Sequence, residues 1–96
     1  MSEVVTAAVT ALKSKMAGES FEGSAKFVIE DEGSVIIEGD DVREGDEDTD
    51  VTLTADQETF EAILSGDLNP TAAFMGGKLA IDGDMSAAMR LAGVLA

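Results

Sequence analysis

The sequence of 96 residues is poor in reactive side chains: it has no cysteine, histidine, tryptophan or tyrosine. The absence of cysteine excludes disulfides, thiol nucleophiles and thiolate metal sites. The absence of histidine removes the commonest general base and excludes a site of the Ser-His-Asp type. Only carboxylates, lysines or a bound metal could then support catalysis. We therefore expect a protein that is not an enzyme and that uses no cofactor and no metal.

Positive charge is also scarce, because 6 Lys and Arg residues face 20 Asp and Glu residues, for a net charge of −14. Nucleic-acid binding depends on neutralising phosphates, so we expect no nucleic-acid partner. Anionic membranes repel such a chain, which predicts at most weak membrane association. No apolar run reaches 18 residues, and the start, residues 1–5, lacks the basic segment of a secretory signal. A cytoplasmic protein is the resulting expectation.

Composition and length together predict one globular domain over residues 1–96. Hydrophobic residues make up 45% of the chain and charged residues 27%, which is typical of folded proteins. A chain of this length can bury enough surface for one core without disulfides or metals.

The first half of the chain reads as a helix followed by a hairpin. Apolar residues recur at spacings of three and four over residues 3–16, which predicts an amphipathic helix. Alternating residues predict strands at 24–30 and 34–38, joined by a turn at Asp31-Glu32-Gly33. We interpret residues 40–48 as an acidic loop. A calcium loop does not fit there, because the twelfth position is Val51 counted from Asp40 and Gln57 counted from Asp46.

The second half predicts a strand at 51–54, a helix ending near Gly66, a short helix at 71–75 and a strand at 78–82. Either Thr54 or Asp56 could cap the first of these helices, and Asn69-Pro70 starts the second. Asp84 caps a final helix. One face of that helix carries Met85, Ala88, Met89, Ala92 and Leu95. The order of elements predicts an α+β fold, with helices covering one face of a mainly antiparallel sheet.

Residues 49–92 resemble the sterol carrier protein-2 (SCP-2) family of lipid-binding domains, most specifically from Leu64 to Leu91. The resemblance rests on these residues: the Thr-rich strand Asp50-Val51-Thr52-Leu53-Thr54, Phe60 to Gly66, Asn69-Pro70, Ala73-Phe74-Met75, Gly77-Lys78-Leu79, Ile81, Gly83, Met85 and Ala88-Met89. It implies a five-stranded sheet covered by helices that encloses an apolar tunnel for a lipid tail. The residue pattern shows only four strands, so we expect the fifth at 73–77 or from a split of 78–83.

The resemblance also implies which residues face the tunnel. Those that match the family motif are Phe60, Leu64, Phe74, Met75, Met85 and Met89, and the strand pattern adds Phe27, Ile29 and Ile37. The implied function is non-enzymatic binding, and possible intracellular transfer, of a lipid with a fatty acyl or sterol-like chain. A lipid is then the expected partner, whereas the sequence names no protein partner.

The alternative is a structural or partner-binding module with a filled core and no ligand. Two features favour this alternative: Gly76 stands where family members often carry Gln, and the chain is short for the family. An empty cavity of about 300 Å³ would cost roughly 7 kcal/mol, close to the whole stability of a small domain. We therefore expect a protein without added lipid to be partly collapsed, to hold water in the tunnel, or to keep a co-purified lipid.

Overall fold

The computed structural model describes residues 3–18 and 21–95, which form an α+β fold. Its elements, in chain order, are α1 (Glu3–Lys15), β1 (Phe21–Ile29), β2 (Gly33–Gly39), β3 (Asp41–Glu44), β4 (Val51–Ala55), α2 (Gln57–Ser65), α3 (Pro70–Met75), β5 (Ala80–Gly83) and α4 (Met85–Leu95). Among these described residues, no helix has both the length and the apolar character needed to cross a membrane.

The five strands form one sheet in the order β3-β2-β1-β4-β5. Three of the four pairings are antiparallel, and β1 pairs with β4 in parallel. The expected mainly antiparallel sheet is confirmed, and the parallel central pair makes it a mixed sheet. Strands β2 and β3 extend the sheet on one side of β1, whereas β4 lies on the other side of β1. The connection from β3 to β4 must therefore cross over β2 and β1.

One face of the sheet is apolar and carries the helices. Its buried side chains are Ala25, Phe27, Ile29, Val35, Ile37, Val42, Val51, Leu53 and Ala55. Helix α1 packs over β2 and β3, while α4 packs over β1, β4 and β5. Alternation along each strand places these residues on the same side of the pleat, so burying that side under the helices stabilises the register.

The fifth strand is β3, and both of its expected positions were wrong. Residues 73–77 belong to α3 and the turn after it, and Ala80–Gly83 is a single strand. Strand β3 lies in the segment that we interpreted as an acidic loop, where Val42 pairs with Ile37 and is 2% exposed. A four-residue edge strand with one inward side chain is too short to show an alternating pattern.

Arg43 offsets the acidic character of this edge. Its guanidinium donates hydrogen bonds to the carboxylates of Asp41 and Glu47, and it forms an ion pair with Glu38. The hydrogen bonds to Asp41 and Glu47 raise the pKa of Arg43 above its ordinary value. One guanidinium thus forms ion pairs with three carboxylates around β3.

Several element boundaries differ from the sequence expectations by a few residues. Strand β1 begins at Phe21, because Phe21 pairs with Gly39 ahead of an irregular step in the register. The N-cap of α2 is Asp56, whose carboxylate accepts a hydrogen bond from the Thr59 N–H at 2.7 Å. Thr54, the other candidate cap, lies within β4 opposite Ala80.

Candidate functional site

A partly enclosed apolar cavity lies between the sheet and the two helices α3 and α4. Its lining residues are Phe27, Leu53, Pro70, Thr71, Phe74, Leu79, Ile81, Ala88, Met89, Ala92 and Leu95. Thr71 is the one polar residue among them, and none is ionisable. The cavity encloses about 20 Å³. That volume holds about one water molecule, whereas sites for small molecules have volumes of roughly 300–1,000 Å³.

The floor of the cavity is a row of side chains across three strands. Phe27 of β1 lies beside Leu53 of β4, and Leu53 lies opposite Ile81 of β5. Residues that pair directly across strands point to the same face, so the register alone brings these three side chains together. The floor therefore depends on the parallel β1–β4 pairing, which joins residues far apart in the sequence.

Helix α3 forms the roof. Asn69 starts it by accepting hydrogen bonds from the N–H groups of Thr71 at 2.8 Å and Ala72 at 3.4 Å, and Pro70 occupies the first turn. After the helix, the N–H groups of Lys78 and Leu79 both donate to the carbonyl of Ala73. This turn brings Leu79 under the roof, where it is 3% exposed.

Helix α4 forms the wall, and its start is joined to β4. The N–H of Asp84 donates to the carbonyl of Asp50 at 3.0 Å, and the Asp84 carboxylate accepts from the N–H of Ser86 at 2.8 Å. Gly83 has φ +110°, and a Cβ there would lie 2.6 Å from the Asp50 oxygen. Only glycine fits this close approach, which explains the glycine two residues before Met85.

The remainder of α4 is also joined to distant parts of the chain by polar contacts. Arg90 donates to the carbonyl of Glu22 at 3.3 Å, and its guanidinium lies 5.9 Å from the centre of the Phe21 ring. Lys15 donates to the carbonyl of Leu95 at 3.0 Å. The wall is thus anchored at its start, its middle and its end.

The roof has no comparable anchor among the described residues. All hydrogen bonds of residues 69–77 in the described structure connect to partners within residues 69–79. Only Pro70 and Ala73 of α3 are buried. The roof is therefore held over the cavity mainly by apolar packing.

Four large hydrophobic side chains of the described residues are substantially exposed, and all belong to the roof and the wall. They are Phe74 (39%), Met75 (80%), Met85 (45%) and Met89 (55%). Phe74 and Met89 also line the cavity. These two residues connect the cavity lining to the surface.

The family assignment follows from comparison with known proteins. Residues 7–96 match the model of the SCP-2 sterol transfer family. The chain belongs to the SCP-2 family. Hydroxysteroid dehydrogenase-like protein 2 of Danio rerio is 47% identical to it over 47 residues, which are 49% of this chain and 11% of that protein. The chain thus corresponds to a small part of that relative.

Solved structures of SCP-2 proteins share the fold. Sterol carrier protein 2 like 2 from Aedes aegypti matches with a TM-score of 0.80 and 23% identity, covering 95% of both chains. Sterol carrier protein-2 from Aedes aegypti, solved in complex with the C16 fatty acid palmitate, matches with a TM-score of 0.77 and 20% identity. That match covers 100% of this chain and 97% of the other. The order of strands and helices is therefore that of SCP-2 domains.

Three of the nine predicted tunnel residues line the cavity of this SCP-2 domain, namely Phe27, Phe74 and Met89. Phe60 does not line it, although its ring meets that of Phe27 edge-on with centroids 4.5 Å apart; Phe60 lines an open groove between α1 and α2. Ile29 and Ile37 are fully buried in the core but do not line the cavity. Whether a lipid contacts any of these residues stays a prediction.

The other three predicted residues lie elsewhere. Leu64 is half-buried and lines an open apolar groove of about 370 Å³ between α1 and α2. Met75 and Met85 are exposed and line neither this groove nor the cavity. The expected face of α4 is thus split, because Ala88 and Leu95 are buried whereas Met85 and Met89 are substantially exposed.

Sequence reasoning missed eight of the lining residues, which are Leu53, Pro70, Thr71, Leu79, Ile81, Ala88, Ala92 and Leu95. A signal for most of them was present. Leu79 and Ile81 were predicted to share a strand face, and Ala88, Ala92 and Leu95 were placed on one helix face. The expected ligand contacts were all large side chains, whereas the lining also contains the two small residues Ala88 and Ala92.

Proposed function

We propose that this SCP-2 domain binds the hydrocarbon chain of a fatty acid, without catalysis, in the cavity between the sheet, α3 and α4. The observation that carries the proposal is a partly enclosed apolar lining without ionisable side chains, placed under a weakly anchored roof. The fatty-acid complex of the Aedes aegypti sterol carrier protein-2, which has the same fold, supports the choice of ligand.

The binding energy would come from burying methylene groups, at about 0.8 kcal/mol each. A cavity of about 20 Å³ cannot hold such a chain, so binding requires expansion. We propose that α3 moves outward while α4 stays in place, because α4 is joined by hydrogen bonds to Asp50, Glu22 and Lys15. Flexible Met89 and partly exposed Phe74 can adjust to the ligand, and Met suits such a role because it has three rotatable bonds.

We further propose that the bound lipid is carried between membranes and not chemically altered. The fatty acid carboxylate would remain in solvent, since the lining offers it no cationic partner. Transfer is testable by following a fluorescent fatty acid between donor and acceptor vesicles. Faster transfer in proportion to protein concentration would support a carrier, and an unchanged rate would limit the function to binding.

The small cavity specifically favours a second candidate, a partner-binding module with a filled core. The two functions differ in whether palmitate binds. Native mass spectrometry of the purified chain incubated with palmitate tests this directly. A one-to-one complex supports the lipid-binding function, whereas an unliganded mass throughout a series of fatty acids favours the filled-core module.

A matched pair of substitutions locates the ligand. Ala92→Phe places a ring in the cavity, and Ala7→Phe places the same ring in the groove between α1 and α2. We expect Ala92→Phe to reduce palmitate binding at least about ten-fold and Ala7→Phe to leave it unchanged. The reverse result would move the site to the groove, where Leu64 lies. Circular dichroism and urea unfolding establish that both variants are folded.

A further inference from the structure

The negative charge of the chain is confined to part of the sequence. Residues 1–67 contain 18 acidic and 4 basic residues and so account for the entire net charge of −14. Residues 68–96 contain Asp82, Asp84, Lys78 and Arg90, whose charges cancel. The roof and the wall of the cavity therefore belong to a segment without net charge.

The exposed hydrophobic side chains lie in this same segment. We call Phe74, Met75, Met85 and Met89 the apolar face. Phe74 and Met89 line one cavity, and Met85 precedes Met89 by one helical turn on the same side of α4. Helices α3 and α4 contain no carboxylate side chain. Met75 directly follows Phe74 at the end of α3. Large apolar side chains exposed on an otherwise highly charged protein indicate an interaction surface.

We propose that the apolar face docks on the interface of an electrically neutral, zwitterionic phospholipid bilayer. This inference rests on the proposed lipid-binding function, since docking there would turn the roof of the cavity toward the source of its ligand. Phe and Met side chains would enter the headgroup boundary, where burial of apolar area supplies the affinity. Most carboxylates of the molecule belong to residues 1–67, outside α3 and α4.

Charge decides among the possible occupants of this face. A second copy of the chain would place another net charge of −14 directly beside the first. Because each molecule measures only 29 × 28 × 24 Å, the two charges would be close together and their repulsion opposes self-association. An anionic bilayer would be repelled in the same way. A basic protein would be attracted to the acidic part of the chain and not to an uncharged face. A zwitterionic bilayer carries no net charge and escapes all three objections.

The test is flotation of the purified chain with vesicles of phosphatidylcholine alone. We expect binding that is unchanged between 50 mM and 500 mM NaCl, because neither the face nor the lipid carries net charge. Replacing about a third of the lipid with phosphatidylglycerol should weaken binding at low salt. The variant Met75→Glu should bind at least about ten-fold more weakly. Gln57→Glu is the matched control, since it adds the same charge at an exposed residue outside this face and should bind like the wild type.

Three results would overturn the proposal. They are a wild type that does not float with phosphatidylcholine vesicles, a Met75→Glu variant that floats as well as the wild type, and a dimer in analytical ultracentrifugation that Met75→Glu dissociates. The last would identify the face as an interface between copies. Palmitate binding by Met75→Glu, measured separately by native mass spectrometry, distinguishes this failure from failure of the proposed function. Met75 does not line the cavity, so docking can fail while lipid binding persists.

Discussion

The ammonium group of Lys15 donates a hydrogen bond to the backbone carbonyl of Leu95 at 3.0 Å. The two residues are 80 positions apart, at the ends of α1 and α4. A cation at the end of a helix also interacts favourably with the partial negative charge of the terminal carbonyls. One side chain thus fastens the last turn of the cavity wall to the first helix of the chain.

Lys15→Met should therefore loosen the end of α4. We expect the free energy of unfolding in urea to fall by about 1 kcal/mol, which is typical of one lost hydrogen bond. Lys13→Met is the matched control, because Lys13 is an exposed lysine in the same last turn of α1. Equal losses in the two variants would show that general charge, and not the contact with Leu95, is responsible.

Phe27 and Phe60 form one aromatic pair, but only Phe27 lines the cavity. Phe27→Leu and Phe60→Leu should each lower the free energy of unfolding by roughly 1–2 kcal/mol, since both remove the same ring contact. Isothermal titration calorimetry with palmitate should then distinguish the two variants, because we expect the affinity for palmitate to change only in Phe27→Leu. If Phe60→Leu changes the affinity as much as Phe27→Leu, the ligand is not confined to the cavity and also reaches the groove between α1 and α2, which Phe60 lines.

Met89→Asp should reduce palmitate affinity at least about ten-fold, because it places a carboxylate at the lining of an apolar cavity. Met85→Asp is the control on the same helix, since Met85 is similarly exposed but does not line the cavity. Displacement of a fluorescent fatty acid measures both variants. Retained affinity in a folded Met89→Asp protein would show that lipid does not pass α4.

The carboxylate of Asp56 is linked to acid stability. The Thr59 N–H, donating at 2.7 Å, lowers the pKa of Asp56 below its ordinary value of 3.8. A folded pKa below the unfolded one means that the charged cap stabilises the protein fully above pH 3.8, and that this contribution is lost as pH falls through the folded value.

The free energy of unfolding should therefore fall less between pH 6 and pH 3 in the Asp56→Asn variant than in the wild type, because Asn caps a helix without titrating. Asp56→Ala should be less stable than both at pH 6, because it removes the cap itself. Urea unfolding at the two pH values gives the comparison. An Asn variant with the same pH dependence as the wild type would assign acid sensitivity to other carboxylates.

Local chemistry in the sequence was enough to predict the helices and most strands. Capping by Asn69 and Asp84 depends on side chains within three residues of the helix start, so these starts could be read from the sequence. Alternation in residues 24–38 and 51–54 likewise marks strands whose one face is buried. Strand β3 could not be predicted, because its single inward residue, Val42, gives no periodic signal.

The sequence by itself therefore determined the fold class, the family and the separation of an acidic part from an uncharged C-terminal part. Tertiary structure decided which residues form the cavity. Phe27, Leu53 and Ile81 become neighbours only through pairing of β1, β4 and β5. Tertiary structure also decided that Met75 and Met85 face solvent. Each helix buries one side, and the sequence pattern did not show which residues lie at the edge of that buried side. Burial is a property of the whole packed chain, and a local pattern records only part of it.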